Sequence, residues 1–315
     1  MRLALHFDFP GLQQAILNVL PDLEILLLPS ELEAELPENL AADMLLTSSH
    51  LTQSNLPQIL EQCDGLKWVH VFGTGINNFP LHLLAGRMLT CGRGASSVPI
   101  AEWTLAMMLD FEKNLPDSCI SSPPKDWFAA PNLGTLSNKT LGLVGFGAIG
   151  QQIAKRALAF DMRVLAKVRT FRKSPMAGVE LLESLDELLQ ESDHLVLALP
   201  ATPESEQLIN ARALAQTKPG VHIVNVARAS LLDQEALLPL LDSGHVARAS
   251  LDVIKPEPLP DTHWAYAHPG VRLSPHISWN SPEVMSNIMN SFLVNLTAYS
   301  QGDSLTGVVD VNAGY

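Results

Sequence analysis

Three glycines that follow an apolar run constrain the fold of this 315-residue chain more than any other feature. All three lie in LGLVGFGAIGQQIA (residues 141–154), with the spacing G-x-G-x-x-G. In a strand-turn-helix unit, such glycines allow a tight turn, close approach of a pyrophosphate, and packing of the helix on the strand. A purely steric glycine turn is the alternative, but the apolar run before it and the helical pattern after it match the unit. The motif predicts dinucleotide binding by Gly145, Phe146, Gly147, Ala148, Ile149 and Gly150.

Short β-rich runs alternate with helical stretches along the chain, which is the pattern of an α/β fold. Before the glycine motif, apolar runs predict buried parallel strands at residues 2–7, 24–29, 43–48, 66–73 and 87–92. A second series of strands is predicted at residues 139–147, 162–168, 194–200, 221–227, 248–254 and 271–277. A long helix over residues 98–115 separates the two series, and a helical segment over 282–302 follows the second. We therefore predict two doubly wound parallel-sheet domains, with the substrate in a cleft between them.

Composition indicates which classes of binding partner to exclude and which cellular compartment to expect. The net charge of −13 argues against a basic nucleic-acid footprint. The longest apolar stretches are too short to span a bilayer, and the amino terminus has the pattern of a first strand, not of a signal peptide. The three cysteines show neither metal-ligand spacing nor a pairing pattern. We therefore expect a cytoplasmic protein that binds no metal, nucleic acid or membrane.

The residues after the second strand of the dinucleotide unit bear on which cofactor binds. An acidic residue that contacts the ribose 2′-hydroxyl belongs there, about 20 residues beyond the glycines. This chain has Val168 instead, followed by Arg169, Arg172 and Lys173. Guanidinium groups suit a 2′-phosphate, so the loop predicts NADP(H) in preference to NAD(H), which stays the alternative. The sequence leaves open which of the three cations makes contact, and also whether the loop is merely a solvated basic one.

Three ionisable residues lie at the ligand-binding edge of the second predicted sheet. Arg228 and Glu257 follow predicted strands, and His276 lies at the end of another. Reduction of a carbonyl by a nicotinamide needs a proton donor, and histidine suits that role near neutral pH. A carboxylate bonded to the histidine raises its pKa and fixes its tautomer, while a guanidinium binds a substrate carboxylate through two hydrogen bonds. Taken singly, each residue also has an ordinary explanation: a surface charge, a solvated loop carboxylate, or a hydrogen-bonded structural histidine.

Several ordered segments carry a more specific signal than the glycine motif alone. They are VFGTGINNF (71–79), GASSVPIAEWTLAMML (94–109), LGLVGFGAIGQQIA (141–154), DHLVLALPATPESEQLIN (193–210), KPGVHIVNVARASLLD (218–233), SLDVIKPEPLP (250–260) and LSPHIS (273–278). In order and interval they resemble the motifs of the D-isomer-specific 2-hydroxyacid dehydrogenase family. Ala229 departs from the family pattern, which usually has glycine after the arginine.

The resemblance implies a role for each candidate site residue. His276 would be the general acid in keto-acid reduction and the base in the reverse direction, with Glu257 as its partner. Arg228 would orient the substrate, and backbone N–H groups of Thr74 and Gly75 would hold the substrate carboxylate. Further cofactor contacts are implied for Pro200, Ala227 and Asp252, the last beside the nicotinamide carboxamide.

The family also implies a domain arrangement and a class of substrate. A Rossmann dinucleotide-binding domain (residues 99–281) would be inserted into a flavodoxin-like substrate domain (residues 1–98 and 282–315), and two chains would form a homodimer. The chain looks closest to NADPH-dependent glyoxylate/hydroxypyruvate reductases, so a small 2-keto or 2-hydroxy acid is the expected substrate. A dinucleotide-sensing corepressor or a non-catalytic cofactor-binding protein is the alternative. Trp279 either forms a wall of the substrate pocket or packs in the hydrophobic core. Residues 121–128 are either an arm that reaches across the dimer or a loop.

Overall fold

The computed structural model describes residues 1–48, 51, 53–76, 79–84, 86–115, 117–123, 127, 132–311 and 313–315. Two compact units divide the chain: the first unit joins Met1–Ser96 to Ser281–Tyr315, and the second unit is Ser97–Asn280. Residues 124–126 and 128 of the predicted 121–128 arm lie outside the described residues. Within the part of the chain that is described, no helix is both long enough and apolar enough to cross a bilayer.

Strands and helices alternate through both units. The strands are β1 (Arg2–Leu5), β2 (Glu24–Leu27), β3 (Met44–Thr47), β4 (Trp68–Val71), β5 (Met88–Cys91), β6 (Thr140–Val144), β7 (Arg163–Lys167), β8 (Val179–Leu182), β9 (His194–Leu197), β10 (Val221–Asn225), β11 (Val246–Leu251) and β12 (Val271–Leu273). The helices are α1 (Leu12–Val19), α2 (Leu56–Gln62), α3 (Ser97–Lys113), α4 (Ala148–Leu158), α5 (Leu185–Glu191), α6 (Ala211–Ala215), α7 (Gln234–Asp242) and α8 (Val284–Gln301). Every pairing between these strands is parallel.

The first unit contains a sheet with the strand order β2-β1-β3-β4-β5, which is the flavodoxin-like order. Strands β3 and β4 are buried along their whole length, as expected where both faces of a parallel sheet are covered and need apolar residues. Helix α8 returns from the end of the chain to this sheet, where Phe292 stacks on Trp68 with ring centroids 5.9 Å apart. The two ends of the chain therefore share one hydrophobic core.

The second unit contains a sheet with the strand order β12-β11-β10-β9-β6-β7-β8. Counted from β6, the first strand of the unit, this is the Rossmann order extended by one strand. The order reverses between β6 and β9, so the ligand crevice is expected at the carboxyl ends of these two strands. The predicted fold class, two doubly wound parallel-sheet domains, is confirmed.

Sequence patterns do not reveal β8, and they misplace the end of β12. Strand β8 has four residues and an exposed Glu180, so it lacks the continuous apolar run typical of a buried strand. The strand predicted over 271–277 ends at Leu273. Pro275 follows shortly after and has no N–H with which to continue the ladder. His276 therefore lies in a turn with a φ of 57°, not at the end of a strand.

A chain of buried polar side chains fixes α3 to the second sheet. Glu112 is 4% exposed and lies 2.7 Å from Lys139 Nζ and 3.0 Å from His194 Nε2. His194 Nδ1 lies 3.1 Å from Nδ1 of His222, whose Nε2 lies 2.9 Å from Ser250 Oγ. Burial acts to raise the pKa of Glu112, but its hydrogen bonds with His194 and Lys139 outweigh burial and lower it. Burial holds the pKa of His222 well below its ordinary value.

Candidate active site

The glycine motif lies where β6 ends and α4 begins. A Cβ at Gly145 would lie 2.5 Å from the carbonyl oxygen of Ala198, and the φ of 103° at this position itself favours glycine. A Cβ at Gly150 would lie 2.5 Å from the carbonyl oxygen of Gly145. A Cβ at Gly147, by contrast, would meet no atom of the described residues within 4 Å. The outer two glycines are therefore required by packing, whereas the middle one borders open space.

The open space beside Gly147 suits an anion. Among the residues that the structure describes, no side chain caps the N-terminus of α4. The N–H groups of Ala148 and Ile149 lie in the first turn, where the helix itself offers no acceptor. The positive end of the helix dipole favours a phosphate at this point. Phe146 is 4% exposed and anchors the loop in the core. The loop therefore fits the pyrophosphate of a nicotinamide dinucleotide.

The residues predicted to contact a 2′-phosphate lie in the loop between β7 and β8. Strand β7 pairs with β6, and the N–H of Gly145 donates to the carbonyl oxygen of Lys167 over 3.0 Å. The loop therefore begins beside the glycine motif, with a half-buried Val168. The exposed cations of the loop are Arg169, Arg172 and Lys173.

A histidine–glutamate pair lies beyond the ends of β11 and β12. Nδ1 of His276 is 3.1 Å from Oε2 of Glu257, and the two side chains are 43% and 42% exposed. The other carboxylate oxygen, Oε1, accepts a hydrogen bond from the N–H of Ile254 over 3.0 Å, which fixes the carboxylate in place. Because Nδ1 is bonded to Glu257, Nε2 is the ring nitrogen that can exchange a proton with a ligand.

Arg228 lies near this pair, beyond the end of β10. The side-chain NH2 group of Asn225 donates to the carbonyl oxygen of Arg228 over 2.9 Å. The side-chain oxygen of Asn225 accepts from the N–H of Ala227 over 3.1 Å. Burial lowers the pKa of Arg228, and the nearby Glu257 carboxylate opposes that effect. Asn225 is not among the residues predicted from the sequence. Its position at the end of an apolar strand is nevertheless a signal, because a buried amide there needs hydrogen-bond partners in the loop that follows.

Asp252 follows β11 and is bonded to the turn that contains His276. Its carboxylate accepts hydrogen bonds from the hydroxyl of Ser274 (2.5 Å) and the N–H groups of Ile277 (2.9 Å) and Ser278 (3.0 Å). Its carbonyl oxygen accepts from the N–H of His276 over 2.9 Å. Asp252 is 1% exposed. The structure therefore brings Asp252 together with the histidine–glutamate pair and Arg228 in the second unit.

The other predicted site residues are distributed over both units. Thr74 and Gly75 belong to the first unit, in the loop after β4, where Thr74 is exposed and Gly75 is half-buried. Pro200 is exposed in the loop after β9 of the second unit. Trp279 is 40% exposed and donates its indole N–H to the carbonyl oxygen of His276 over 2.9 Å. Trp279 is therefore not a core residue.

Comparison with known proteins assigns this architecture to a family. Residues 105–278, more than half of the chain, match the family described as D-isomer specific 2-hydroxyacid dehydrogenase, NAD binding domain. The chain belongs to the D-isomer specific 2-hydroxyacid dehydrogenase family. The family predicted from the sequence motifs is thus confirmed. The matched residues include the glycine motif and the histidine–glutamate pair.

Three proteins illustrate the similarity. The D-3-phosphoglycerate dehydrogenase of Mycobacterium tuberculosis (strain ATCC 25618 / H37Rv) is 34% identical over 289 residues, which are 90% of this chain and 53% of that protein. The chain spans about half the length of the curated relatives it matches. The TT0316 protein from Thermus thermophilus is 31% identical with a TM-score of 0.73, over 98% of this chain and 100% of that one. The NADPH-dependent glyoxylate/hydroxypyruvate reductase of Sinorhizobium meliloti, solved with NADP and sulfate, shares the fold at 24% identity and a TM-score of 0.77, over 100% of this chain and 99% of that one.

Proposed function

We propose that this protein is an oxidoreductase that uses a nicotinamide dinucleotide to reduce a small 2-keto acid to the D-2-hydroxy acid, and that it catalyses the reverse reaction. The observation that carries the proposal is the 3.1 Å contact between His276 Nδ1 and Glu257 Oε2. A histidine with one ring nitrogen held by a carboxylate is suited to move a proton to and from a carbonyl oxygen. Consumption of reduced cofactor in the presence of a 2-keto acid tests the proposal.

The glycine motif would hold the cofactor through N–H groups at the start of α4. Pro200, Ala227 and Asp252 are the further contacts inferred from the family. When bound, the dinucleotide supplies or accepts the hydride of the reaction. Binding the substrate, orienting it and moving the proton are tasks for the side chains of the protein.

His276 carries the proton in both directions. In reduction, Nε2 of His276 gives its proton to the carbonyl oxygen of the substrate and the ring becomes neutral. Glu257 holds the Nδ1 proton and stabilises the charged imidazolium that precedes transfer. In the reverse direction, the neutral ring takes the hydroxyl proton at Nε2.

Arg228 would bind the substrate carboxylate with two parallel hydrogen bonds. Burial lowers the pKa of the guanidinium, so an anionic partner is favourable at this position. We also propose the N–H groups of Thr74 and Gly75 as donors to the substrate, as the family implies. Trp279 is proposed as a wall of the substrate pocket, because its indole is bonded beside His276.

Replacing Arg228 with lysine should raise the KM for the 2-keto acid about tenfold and lower kcat, because one ammonium group cannot make the two-pronged contact. Steady-state kinetics at saturating reduced cofactor measure both constants. Arg212→Lys is the control, since Arg212 is 80% exposed and pairs with Asp186. An unchanged KM in Arg228→Lys would remove Arg228 from the substrate site.

We propose NADP(H) as the preferred cofactor, with NAD(H) as the alternative. The support is the exposed basic loop that begins beside Gly145 and has valine at residue 168 in place of an acid. A carboxylate at that position would repel a 2′-phosphate, whereas guanidinium and ammonium groups attract it.

Replacing Arg169 with alanine should weaken NADPH binding about tenfold and change NADH binding less than about twofold, because only NADPH carries the 2′-phosphate. Isothermal titration with each cofactor measures the two Kd values. Arg172→Ala and Lys173→Ala, measured in parallel, identify which cation makes the contact. The exposed Lys155 on α4 serves as the control, as Lys155→Ala. Equal weakening of both cofactors would contradict the 2′-phosphate interpretation.

Glyoxylate or hydroxypyruvate is the proposed substrate, on the strength of the motif resemblance and the basic loop. D-3-phosphoglycerate is the second candidate, because the curated relatives carry the name D-3-phosphoglycerate dehydrogenase. We further propose that the protein is a cytoplasmic homodimer, and sedimentation velocity measures the number of chains.

A further inference from the structure

We infer that Gly92, directly after β5, orients the two N–H groups proposed to bind the substrate carboxylate, and that residues 306–309 hold the end of β5 in place for this task. The inference rests on the proposed function, because it takes the N–H groups of Thr74 and Gly75 as donors to the substrate. Gly92 and the 306–309 segment are positioning elements, and neither is placed in contact with the substrate.

The loop after β4 is bonded to the end of the neighbouring strand β5. The N–H of Gly92 donates to the carbonyl oxygen of Gly73 over 2.7 Å. Sγ of Cys91, a residue that is 2% exposed, lies 3.9 Å from the carbonyl oxygen of Thr74. Two successive carbonyl groups of the loop therefore face the end of β5.

The direction of these two carbonyl groups fixes the direction of the N–H groups that follow them. The carbonyl of Gly73 and the N–H of Thr74 belong to one peptide unit, as do the carbonyl of Thr74 and the N–H of Gly75. Both peptide bonds are trans, and in a planar trans unit the two groups point in opposite directions. The N–H groups of Thr74 and Gly75 therefore point away from β5. Among the described residues, neither N–H group has a protein acceptor, so both are available to a carboxylate.

Gly92 sets the first of these directions because it has no side chain. A Cβ at this position would lie 3.0 Å from the carbonyl oxygen of Gly73 and 3.5 Å from two side-chain carbons of Ile288 on α8. The first distance is shorter than an ordinary van der Waals contact, so a methyl group would push the carbonyl of Gly73 aside. Displacing that carbonyl turns its whole peptide unit, which includes the N–H of Thr74.

The 306–309 segment runs antiparallel along the outer edge of β5. The N–H of Cys91 donates to the carbonyl oxygen of Gly307 over 3.1 Å, and the N–H of Val309 donates to that of Leu89 over 2.9 Å. Cys91 and Gly92 thus donate to different partners, the first to the 306–309 segment and the second to the loop after β4. The end of β5 is therefore held between the two.

Helix α8 anchors the 306–309 segment through one buried side chain. Asn295 is fully buried, and its NH2 group donates to the carbonyl oxygen of Thr306 over 2.9 Å. Its side-chain oxygen accepts from the N–H and the hydroxyl of Thr306 over 2.8 and 3.1 Å. Gly307 follows with a φ of 65°, and a Cβ there would collide with the carbonyl oxygen of Cys91. A side chain at residue 307 would therefore separate the segment from β5.

The first part of the test compares Gly307→Ala with Gly302→Ala in the full chain. Gly302 is the matched control, because its φ of 78° imposes a similar backbone strain while a Cβ there meets no described atom within 4 Å. Hydrogen–deuterium exchange of the Gly92 amide reports the bond between β5 and the loop. We expect about tenfold faster exchange in Gly307→Ala and no change in Gly302→Ala.

The second part of the test uses Gly92→Ala and separates orientation of the N–H groups from general damage. We expect the KM for glyoxylate and the Kd for oxalate, a carboxylate that is not reduced, to rise about tenfold, as for one lost hydrogen bond to a charged group. The Kd for NADPH should change less than about twofold, because the glycine motif lies in the second unit. The pH profile of kcat/KM should keep its shape, because His276 and Glu257 also belong to that unit.

Each part of the inference has a result that would overturn it. Unchanged exchange of the Gly92 amide in Gly307→Ala would mean that the 306–309 segment does not hold the end of β5. An unchanged Kd for oxalate in Gly92→Ala, or a wild-type protein that binds no oxalate, would mean that Gly92 does not orient donors for a carboxylate.

Two further outcomes are distinguishable from these. If Gly307→Ala does not fold, Thr306→Val carries the exchange measurement with a smaller expected increase, because it removes one hydrogen bond to Asn295. If the wild-type protein turns over no keto acid, the proposed function fails. Amide exchange and the Kd for oxalate then still decide whether the loop is held and oriented in this way.

Discussion

Replacing His276 with alanine is expected to lower kcat about 10³-fold, the usual size of a general acid–base contribution. The reason is that Nε2 of His276 is the group proposed to exchange the proton with the substrate oxygen. Cofactor binding should be nearly unchanged, because the glycine motif lies at the end of β6 and the histidine lies beyond β12. Stopped-flow single turnovers measure the chemical step, and fluorescence titration measures the Kd for NADPH.

The control for this prediction is His82→Ala, which removes an exposed histidine of the first unit. Glu257→Gln is the informative companion, because it keeps a hydrogen-bond acceptor for Nδ1 but removes the charge that stabilises the imidazolium. We expect a smaller loss of kcat in Glu257→Gln than in His276→Ala. Loss of NADPH binding in His276→Ala would instead identify a structural histidine.

Replacing Glu112 with alanine should lower the free energy of unfolding by about 3–5 kcal/mol, the usual cost of removing one partner of a buried ion pair. The side chain of Glu112 is 2% exposed, and its carboxylate is bonded to Lys139 and to the fully buried His194. Alanine leaves both without their acceptor. Urea unfolding at pH 7, followed by circular dichroism, measures the change.

Glu102→Ala on the same helix is the matched control. Glu102 is 64% exposed and pairs with Arg156 at 3.1 Å, so its loss should lower the free energy of unfolding by less than about 1 kcal/mol. If the two variants lost similar amounts of unfolding free energy, the buried polar side chains around Glu112 would not be what fixes α3 to the sheet.

The pH dependence of stability follows from the same chain of side chains. The folded pKa of Glu112 is below its ordinary value of 4.5, so its contribution is present above that value and is lost as the pH falls through the folded pKa. His222 acts in the same direction. Its folded pKa is well below 6.5, so the unfolded chain binds the proton first and stability falls below pH 6.5. The two proteins, wild type and Glu112→Ala, differ in their free energy of unfolding. We expect this difference to narrow only below pH 4.5, where the carboxylate of Glu112 begins to take up its proton.

The fold could be predicted from the sequence because its signals are local and strong. The glycine spacing after an apolar run locates β6 and α4, and the buried runs on either side locate most of the other strands. Strand β8 is not predicted because the exposed Glu180 interrupts its short apolar run. Helices α5 and α6, of 7 and 5 residues, are likewise too short for helical periodicity to stand out.

The candidate site could be predicted only in part. Arg228, Glu257 and His276 are recognisable because ionisable residues follow apolar strands in the order that the family shows. The contacts that hold them are not recognisable, because they join residues far apart in sequence or depend on backbone conformation. Asp252 bonds to a turn more than twenty residues away, and the left-handed φ of His276 has no sequence signal of its own.

The most direct test of the proposed activity is steady-state turnover with NADPH and NADH side by side. The substrates are glyoxylate, hydroxypyruvate, pyruvate and a bulky phenyl keto acid, with D-3-phosphoglycerate assayed in the oxidative direction. We expect turnover of a small keto acid with a higher kcat/KM for NADPH than for NADH. Tight binding of both cofactors without turnover of any substrate would contradict the assignment of His276, Glu257 and Arg228 to catalysis.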